Sequence, residues 1–339
     1  MTEAWVVLVA VPAMLATFVI FIAARSGAAR WLVDRPNERS LHQVPTPRIG
    51  GLGVMAGALP FALYFAGGRY GVALACAAVL CALSAVDDWR SLPVRVRLPA
   101  HIVAAIVSVL ALGPLATGVA VLLVIAVVWM TNLYNFMDGA DGLAGSMAVT
   151  GFGAYAIAAG FSGALPLAAM SAAIASAAAG FLAFNAPPAR VFLGDAGSVP
   201  LGFLAAILGI HGVLEGAWPG WFPVLVFSPF IVDATLTIVR RGARGARVWQ
   251  AHREHGYQRL VLAGWPPRRL AAAAAALMAA AATSALYALG EGQETQNGII
   301  AGWLGLYCIV VLATERSIST YDKNRTGARQ SNGASGEKE

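Results

Sequence analysis

Two Asn and two Asp fall within ten residues at the edge of an apolar segment: Asn132, Asn135, Asp138 and Asp141, in Asn132-Leu133-Tyr134-Asn135-Phe136-Met137-Asp138-Gly139-Ala140-Asp141-Gly142-Leu143. Such groups at the border of a lipid-soluble stretch are costly unless they face a polar cavity, a partner or an ion. The i, i+3 spacing of Asn132 and Asn135 puts them on one helical face, and Asp138 and Asp141 repeat it. Comparable stretches are Asp87-Asp88 followed by Arg90, Arg95 and Arg97; Phe192-Leu193-Gly194-Asp195-Ala196-Gly197-Ser198; and His252-Arg253-Glu254-His255-Gly256-Tyr257-Gln258-Arg259. Another runs from Asp34 through His42 to Pro45-Thr46-Pro47-Arg48-Ile49-Gly50-Gly51, and Asp233 stands alone inside an apolar segment. Carboxylates and Asn supply hard oxygens for Mg²⁺, Arg offers a planar fork to phosphate, and Gly-rich turns let backbone approach a ligand. These are the parts of a metal-assisted phosphoryl transfer, in which positioning and charge neutralisation dominate.

The elements that must position these residues are membrane helices. The chain has 339 residues, 58% hydrophobic and 12% charged, with a mean hydropathy of +0.69, the composition of an integral membrane protein. Eleven apolar segments approach the length a helix needs to cross a bilayer: 4–23, 50–66, 71–86, 100–113, 118–134, 144–161, 164–184, 200–214, 221–239, 269–288 and 296–314. Of the 23 Lys and Arg, only Arg69 falls on the side that holds the amino terminus. That asymmetry predicts an all-α polytopic membrane protein of 10–11 spans, with the amino terminus outside and the carboxy terminus cytoplasmic. Its chemistry then lies on the cytoplasmic face. The first segment lacks a basic leader and reads as an uncleaved helix.

Residues 1–319 read as the membrane domain, and 320–339 as a disordered cytoplasmic tail. Cys76, Cys81 and Cys308 lie in apolar segments without metal or disulfide spacing. The net charge of +6 suits an anionic leaflet and anionic substrates. No basic patch interleaved with aromatics points to nucleic acid.

Each stretch has a plainer reading. Asp87-Asp88 can be solvated past a helix end, although acids there oppose the helix dipole. Asn132 and Asn135 can bond a neighbouring helix, and Gly194-Asp195 can be a turn with a helix cap. Arg240 to Arg247 reads more simply as a topogenic anchor, and His252 and His255 as exposed loop residues. A membrane transporter or lipid flippase remains an alternative class, predicting polar groups accessible from both faces. The outer loops carry almost nothing comparable, with Glu215, Glu291 and Glu294 scattered among them. An inactive scaffold and a lipid-diphosphate pyrophosphatase are further alternatives.

Taken together, Pro45-Thr46-Pro47-Arg48 with Gly50-Gly51, Asp87-Asp88, Asn132-x-x-Asn135-x-x-Asp138-Gly-x-Asp141-Gly-Leu, Phe192-Leu-Gly-Asp195-Ala-Gly-Ser198 and His252-Arg-Glu-His255 resemble the polyprenyl-phosphate N-acetylhexosamine-1-phosphate transferases of glycosyltransferase family 4. These are the WecA, TagO and WbpL types and, more distantly, MraY. The resemblance implies a Mg²⁺-dependent reaction, with Mn²⁺ able to substitute, between a UDP-activated N-acetylated sugar and polyprenyl (undecaprenyl) phosphate. UMP is released, and the step would initiate O-antigen or another cell-envelope polysaccharide at the bacterial inner membrane. It is compatible with a homodimer.

The same resemblance assigns Asn135 and Asp195 to the metal, and Asp87 and Asp88 to positioning or deprotonating the lipid phosphate. Arg97 becomes a phosphate contact beside them, and Arg48 guides the lipid phosphate. Asp138 and Asp141, with Asn132, shape the metal and nucleotide pocket. His252, Arg253 and His255 reach the diphosphate or the sugar. The His252-Arg-Glu-His255 stretch resembles the WbpL type, which admits donors such as UDP-FucNAc or UDP-QuiNAc beside UDP-GlcNAc and disfavours a UDP-MurNAc-pentapeptide. Direct attack by the lipid phosphate and a covalent phospho-enzyme both stay open, with direct attack preferred because the lipid phosphate is already largely anionic at neutral pH.

Overall fold

The computed structural model describes residues 2–36, 41, 43–247 and 252–336. Asn37, Glu38, Arg39, Ser40 and His42 of the first polar stretch therefore lie outside the described residues. Helix α1 (Thr2–Arg25) leads through a 3₁₀ turn (Gly27–Arg30) to a two-stranded ribbon, in which β1 (Val33–Asp34) pairs antiparallel with β2 (Thr46–Pro47). Then follow α2 (Gly50–Arg90), α3 (Val94–Leu110), α4 (Thr117–Phe136), α5 (Leu143–Ser162), α6 (Leu165–Asn185) and α7 (Asp195–Leu214). The chain ends with α8 (Trp221–Val226), α9 (Ser228–Ala243), α10 (Gly256–Leu262), α11 (Pro267–Leu289) and α12 (Gln293–Gly336). Among the described residues, seven helices are long and apolar enough to cross a membrane, and Val9–Arg25 and Gly50–Phe65 are shorter apolar helices. This is a multi-pass membrane protein, whose backbone polar groups must be satisfied inside the helices.

Helix α2 covers two of the apolar segments, 50–66 and 71–86, with helical bonding from Gly50 to Arg90. It nevertheless folds back on itself. Its first residues lie on the start of α7, because a Cβ on Gly51 would stand 2.2 Å from the Gly197 nitrogen. Its last turn reaches the same place, where Asp88 accepts from the Asp195 amide at 3.2 Å. Between them, Arg69 lies 3.4 Å from Glu215, just past the far end of α7. A straight helix would separate Gly51 from Asp88 by about 55 Å at 1.5 Å per residue, so the two limbs run antiparallel along α7.

Three other boundaries differ from the sequence pattern. The segment 221–239 is broken into α8 and α9 at Phe227. Pro229 lacks the amide that would continue the ladder, and the Ser228 hydroxyl donates instead to the Leu225 carbonyl at 2.6 Å. Asp195 opens α7 rather than preceding it, so its helix is a full turn longer than the apolar stretch. Helix α12 continues to Gly336, through the segment read as a disordered tail; extending an existing helix avoids the cost of a new nucleus. The most enclosed span is α7, with 78% of its apolar window buried, whereas α12 has 11% and is peripheral. Phe152, Tyr155, Phe203, Phe222 and Phe227 fill the centre around it.

Candidate active site

Two helix starts interlock to make the site. The amides of Gly50 and Gly51 donate to the carbonyls of Phe192 and Leu193 at 2.9 and 2.7 Å. Asp88, its side chain 1% exposed, accepts in turn from Asp195 and Ala196 at 3.2 and 3.0 Å. Each helix so satisfies amides its own ladder leaves unpaired. Gly194 stands between them at φ +73°, and a Cβ there would meet the Asp88 carboxylate at 2.8 Å; glycine alone fits.

Around this joint the charged groups converge. Arg97 donates to Asp87 at 2.8 Å and to Asp195 at 3.2 Å. Asp87 also accepts from the Leu92 amide at 2.5 Å. Arg48 pairs with Asp34 at 2.8 Å and lies 3.6 Å from Asp88. Asp138 belongs to the same cluster: withdrawal from water, with Asp195 and Asp88 close by, holds its carboxyl well above the ordinary carboxylate range, against the pull of Arg48 and the Gly194 amide. The Asn135 amide group donates to the Ser198 hydroxyl at 3.0 Å, which itself donates to the Gly194 carbonyl at 3.1 Å. That fixes the side chain and leaves its carbonyl oxygen for a ligand.

Beside the cluster opens a cavity of 320 Å³ whose lining includes Asp34, Arg48, Asp138, Asp141, Gly194 and Asp195. Two of its lining side chains, one from the loop after α4 and one from the end of α6, tie the surrounding backbone together. Asp141 accepts from the Ala189 amide at 2.9 Å. Asn185 accepts from Gly142 at 2.8 Å and donates to Val191 at 2.9 Å. Asn185 has no place among the sequence-derived candidates, although it is the one amide at the end of an Ala-rich span. His101 was equally invisible in the sequence.

The remaining candidates stand outside the cavity. The amide group of Asn132 donates to its own helix, at the Val128 carbonyl, 2.7 Å away. Asp233 is in the second turn of α9 and accepts from Gly256 and Tyr257 at 2.8 and 3.1 Å. It thereby holds α10 against the bundle, a specific task for a carboxylate that looked isolated. His255 is buried, 3.4 Å from Asp233 through Nδ1 and with its ring 6.2 Å from Phe136. Tyr257 donates to the Phe136 carbonyl at 3.0 Å, so this loop backs the end of α4. His252 stacks on His255 at 4.9 Å; burial, then His255 and Arg241, push its pKa down to about 4. Arg253 is exposed. Arg240 and Arg259 grip Glu315 at 2.7 and 2.6 Å, while Arg241 and Arg244 pair with Glu254. The basic run is thus knitted into the loop rather than serving only as an anchor.

Among the described residues no three His, Cys, Asp or Glu side chains stand close enough to grip a metal by themselves. Asp138, Asp195 and the Asn135 carbonyl nevertheless make an oxygen-only donor set, and the crowded carboxylates call for a cation or a proton. Mg²⁺ typically takes one or two carboxylates and completes its shell with water and substrate phosphate. The residues present fit that ion.

Comparison with known proteins gives a consistent picture. Residues 70–213 match the model of glycosyl transferase family 4. The chain is 29% identical over 266 residues to a probable undecaprenyl-phosphate N-acetylglucosaminyl 1-phosphate transferase of Bacillus subtilis strain 168, covering 72% of each chain. It is 29% identical over 278 residues to an undecaprenyl-phosphate alpha-N-acetylglucosaminyl 1-phosphate transferase of Yersinia pestis, covering 74% and 75%. A phospho-N-acetylmuramoyl-pentapeptide-transferase of Geobacillus kaustophilus is 35% identical over 153 residues, 44% of this chain and 45% of its own.

Proposed function

We propose that the chain, which matches glycosyl transferase family 4 over residues 70–213, is a member of that family and transfers an N-acetylhexosamine 1-phosphate from a UDP-sugar to a polyprenyl phosphate. An oxygen of the lipid phosphate bonds to the sugar-linked phosphorus, the bond from that phosphorus to the UMP oxygen breaks, and UMP leaves. The product is polyprenyl-diphosphate-sugar. The observation that carries this reading is the convergence of Asp87, Asp88, Asp138 and Asp195 on Arg48 and Arg97 beside the cavity.

Asn135, Asp138 and Asp195 would hold Mg²⁺, with Mn²⁺ as a substitute, and the bound ion would neutralise charge on the donor diphosphate and so ease the departure of UMP. Arg48, at the cavity wall, binds donor phosphate oxygens. Arg97 orients the lipid phosphate, and Asp87 keeps its guanidinium in place. Asp88 has both oxygens on α7 amides, so it positions the Asp195 turn rather than moving a proton. His252 is neutral at pH 7 and suits hydrogen bonding to the sugar better than charge neutralisation. The relatives that act with N-acetylglucosamine support a hexosamine donor. The concentration of Lys and Arg on one side supports an inner-membrane protein with its amino terminus outside and its site on the cytoplasmic face.

The test is UMP release by purified protein from undecaprenyl phosphate and a panel of UDP-N-acetylhexosamines, with Mg²⁺ or EDTA. Metal-dependent release from one donor is expected and names the sugar; a folded protein releasing none from the whole panel overturns the reading.

A further inference from the structure

Three buried polar atoms on one face of α3 have no hydrogen-bond partner among the described residues: Nε of Arg97, Nδ1 of His101 and, two turns beyond His101, Oγ of Ser108. Arg97 and His101 are four apart, hence neighbours on that face. Buried polar groups are nearly always paired, so a pair of orphans one turn apart marks a missing ligand. His101 is 6% exposed and faces the side chain of Asn132, within the electrostatic reach of Arg97 and Asp195. Since Asn132 commits its amide group to Val128 at 2.7 Å, it presents its carbonyl oxygen to the ring. That leaves Nδ1 as the open position.

The direction of approach follows from the rest of α3. Its other face is apolar and exposed, with Val96 at 41%, Ile102 at 36%, Val103 at 59% and Val107 at 43%, as a lipid-facing surface should be. The helix starts beside Asp87 and runs away from the site, so His101 stands about 6 Å further along the helix than Arg97. Neither residue is among those lining the 320 Å³ cavity. An oxyanion meeting both would therefore bind outside that cavity, deeper along α3.

We propose that His101 joins Arg97 in binding the phosphate of the polyprenyl acceptor, an inference that rests on the transferase reading above. Arg97 Nε–H donates to one phosphate oxygen. The imidazole bonds a second: a neutral ring accepts from the P–OH of the monoanion, and a protonated ring donates to the dianion. Asp87 and Asp195 already fix the guanidinium, so the phosphate is received by a preset pair next to Asp195. His101 is a binding residue for the acceptor with no part in donor recognition.

The experiment uses the full-length protein in nanodiscs, with UMP release measured against polyprenyl phosphate at saturating UDP-sugar, and against UDP-sugar at saturating lipid. His101→Leu is expected to raise KM for polyprenyl phosphate about tenfold, the scale of a hydrogen bond to a charged group, with KM for the UDP-sugar unchanged. His101→Gln, which keeps a donor and an acceptor, should restore most of the loss. A shift in the donor KM, unchanged kinetics, or a Gln variant as impaired as the Leu variant would overturn the proposal, since packing alone predicts no such split. If His101→Leu fails to fold, His101→Asn serves: its shorter amide should raise the acceptor KM while His101→Gln stays near wild type. A wild-type protein that releases no UMP would overturn the transferase reading itself, a result distinct from all of these.

Discussion

The two ends of α7 carry similar chemistry with opposite completeness. At its far end Glu215 accepts from the buried Tyr70 hydroxyl, lies 3.4 Å from Arg69, and has the His211 ring 3.8 Å away. One carboxylate meets three partners, drawn from the α2 reversal and from α7 itself. At the near end Asp87, Asp88, Asp138 and Asp195 share Arg48 and Arg97, and Arg48 is also engaged by Asp34. The satisfied end fastens one helix to another. The other end keeps more carboxylates than the two arginines that pair with them, the arrangement on which the proposed metal site rests.

The contrast can be broken most severely at the near end. Asp195→Asn is expected to lower UMP release by about a hundredfold or more, the scale of losing a preorganised electrostatic contact, while the protein stays folded; a wild-type rate in that variant would remove Asp195 from the site. At the far end Tyr70→Phe should leave the rate unchanged and lower stability by about 1 kcal/mol, one hydrogen bond, read as the thermal midpoint in detergent. Loss of activity there would mean that the two ends are coupled.

Asp138→Asn sharpens the comparison through stability, where its effect has the opposite sign to that of Tyr70→Phe. A carboxyl held above its ordinary range stabilises the fold only while protonated, and that contribution is lost as pH rises through its raised value. The amide should therefore raise the midpoint of metal-free protein at neutral pH while abolishing turnover. A lower midpoint would show that the acidic crowding is already relieved. The smallest effect belongs to His252, whose pKa is pushed down to about 4. Below its unfolded value near 6.5 the unfolded chain takes up the proton first, so stability falls as pH drops from 6.5 towards 4. His252→Gln should flatten that part of the profile in thermal melts, and an unaltered slope would assign the acid sensitivity to other groups.

Much of the near end was legible in the sequence because its residues are wrong for a membrane. Asn135, Asp138 and Asp195 interrupt apolar runs, and their cost advertises them. The bonds between them were not legible. Asp88 meets the α7 amides across 107 residues and Arg97 meets Asp195 across 98, separations at which spacing carries no information. The same blindness hid the partners of Glu215, which looked like a scattered loop acid. It also hid His101 and Asn185, since one His or one Asn in an Ala-rich helix has no local signature.

The sequence by itself determined that the chain crosses the membrane many times, which residue types must stay out of lipid, and, through the positions of those residues, the resemblance to a family of transferases. Hydropathy and charge are properties of short windows, and windows are what a sequence shows directly. Only the tertiary structure decided that α2 doubles back along α7, that the apolar run at 221–239 breaks at Phe227, and that Asp88 is an anchor while Asp138 is left crowded. Those outcomes depend on which helix ends meet, because unpaired amides and carboxylates are settled by neighbours in space.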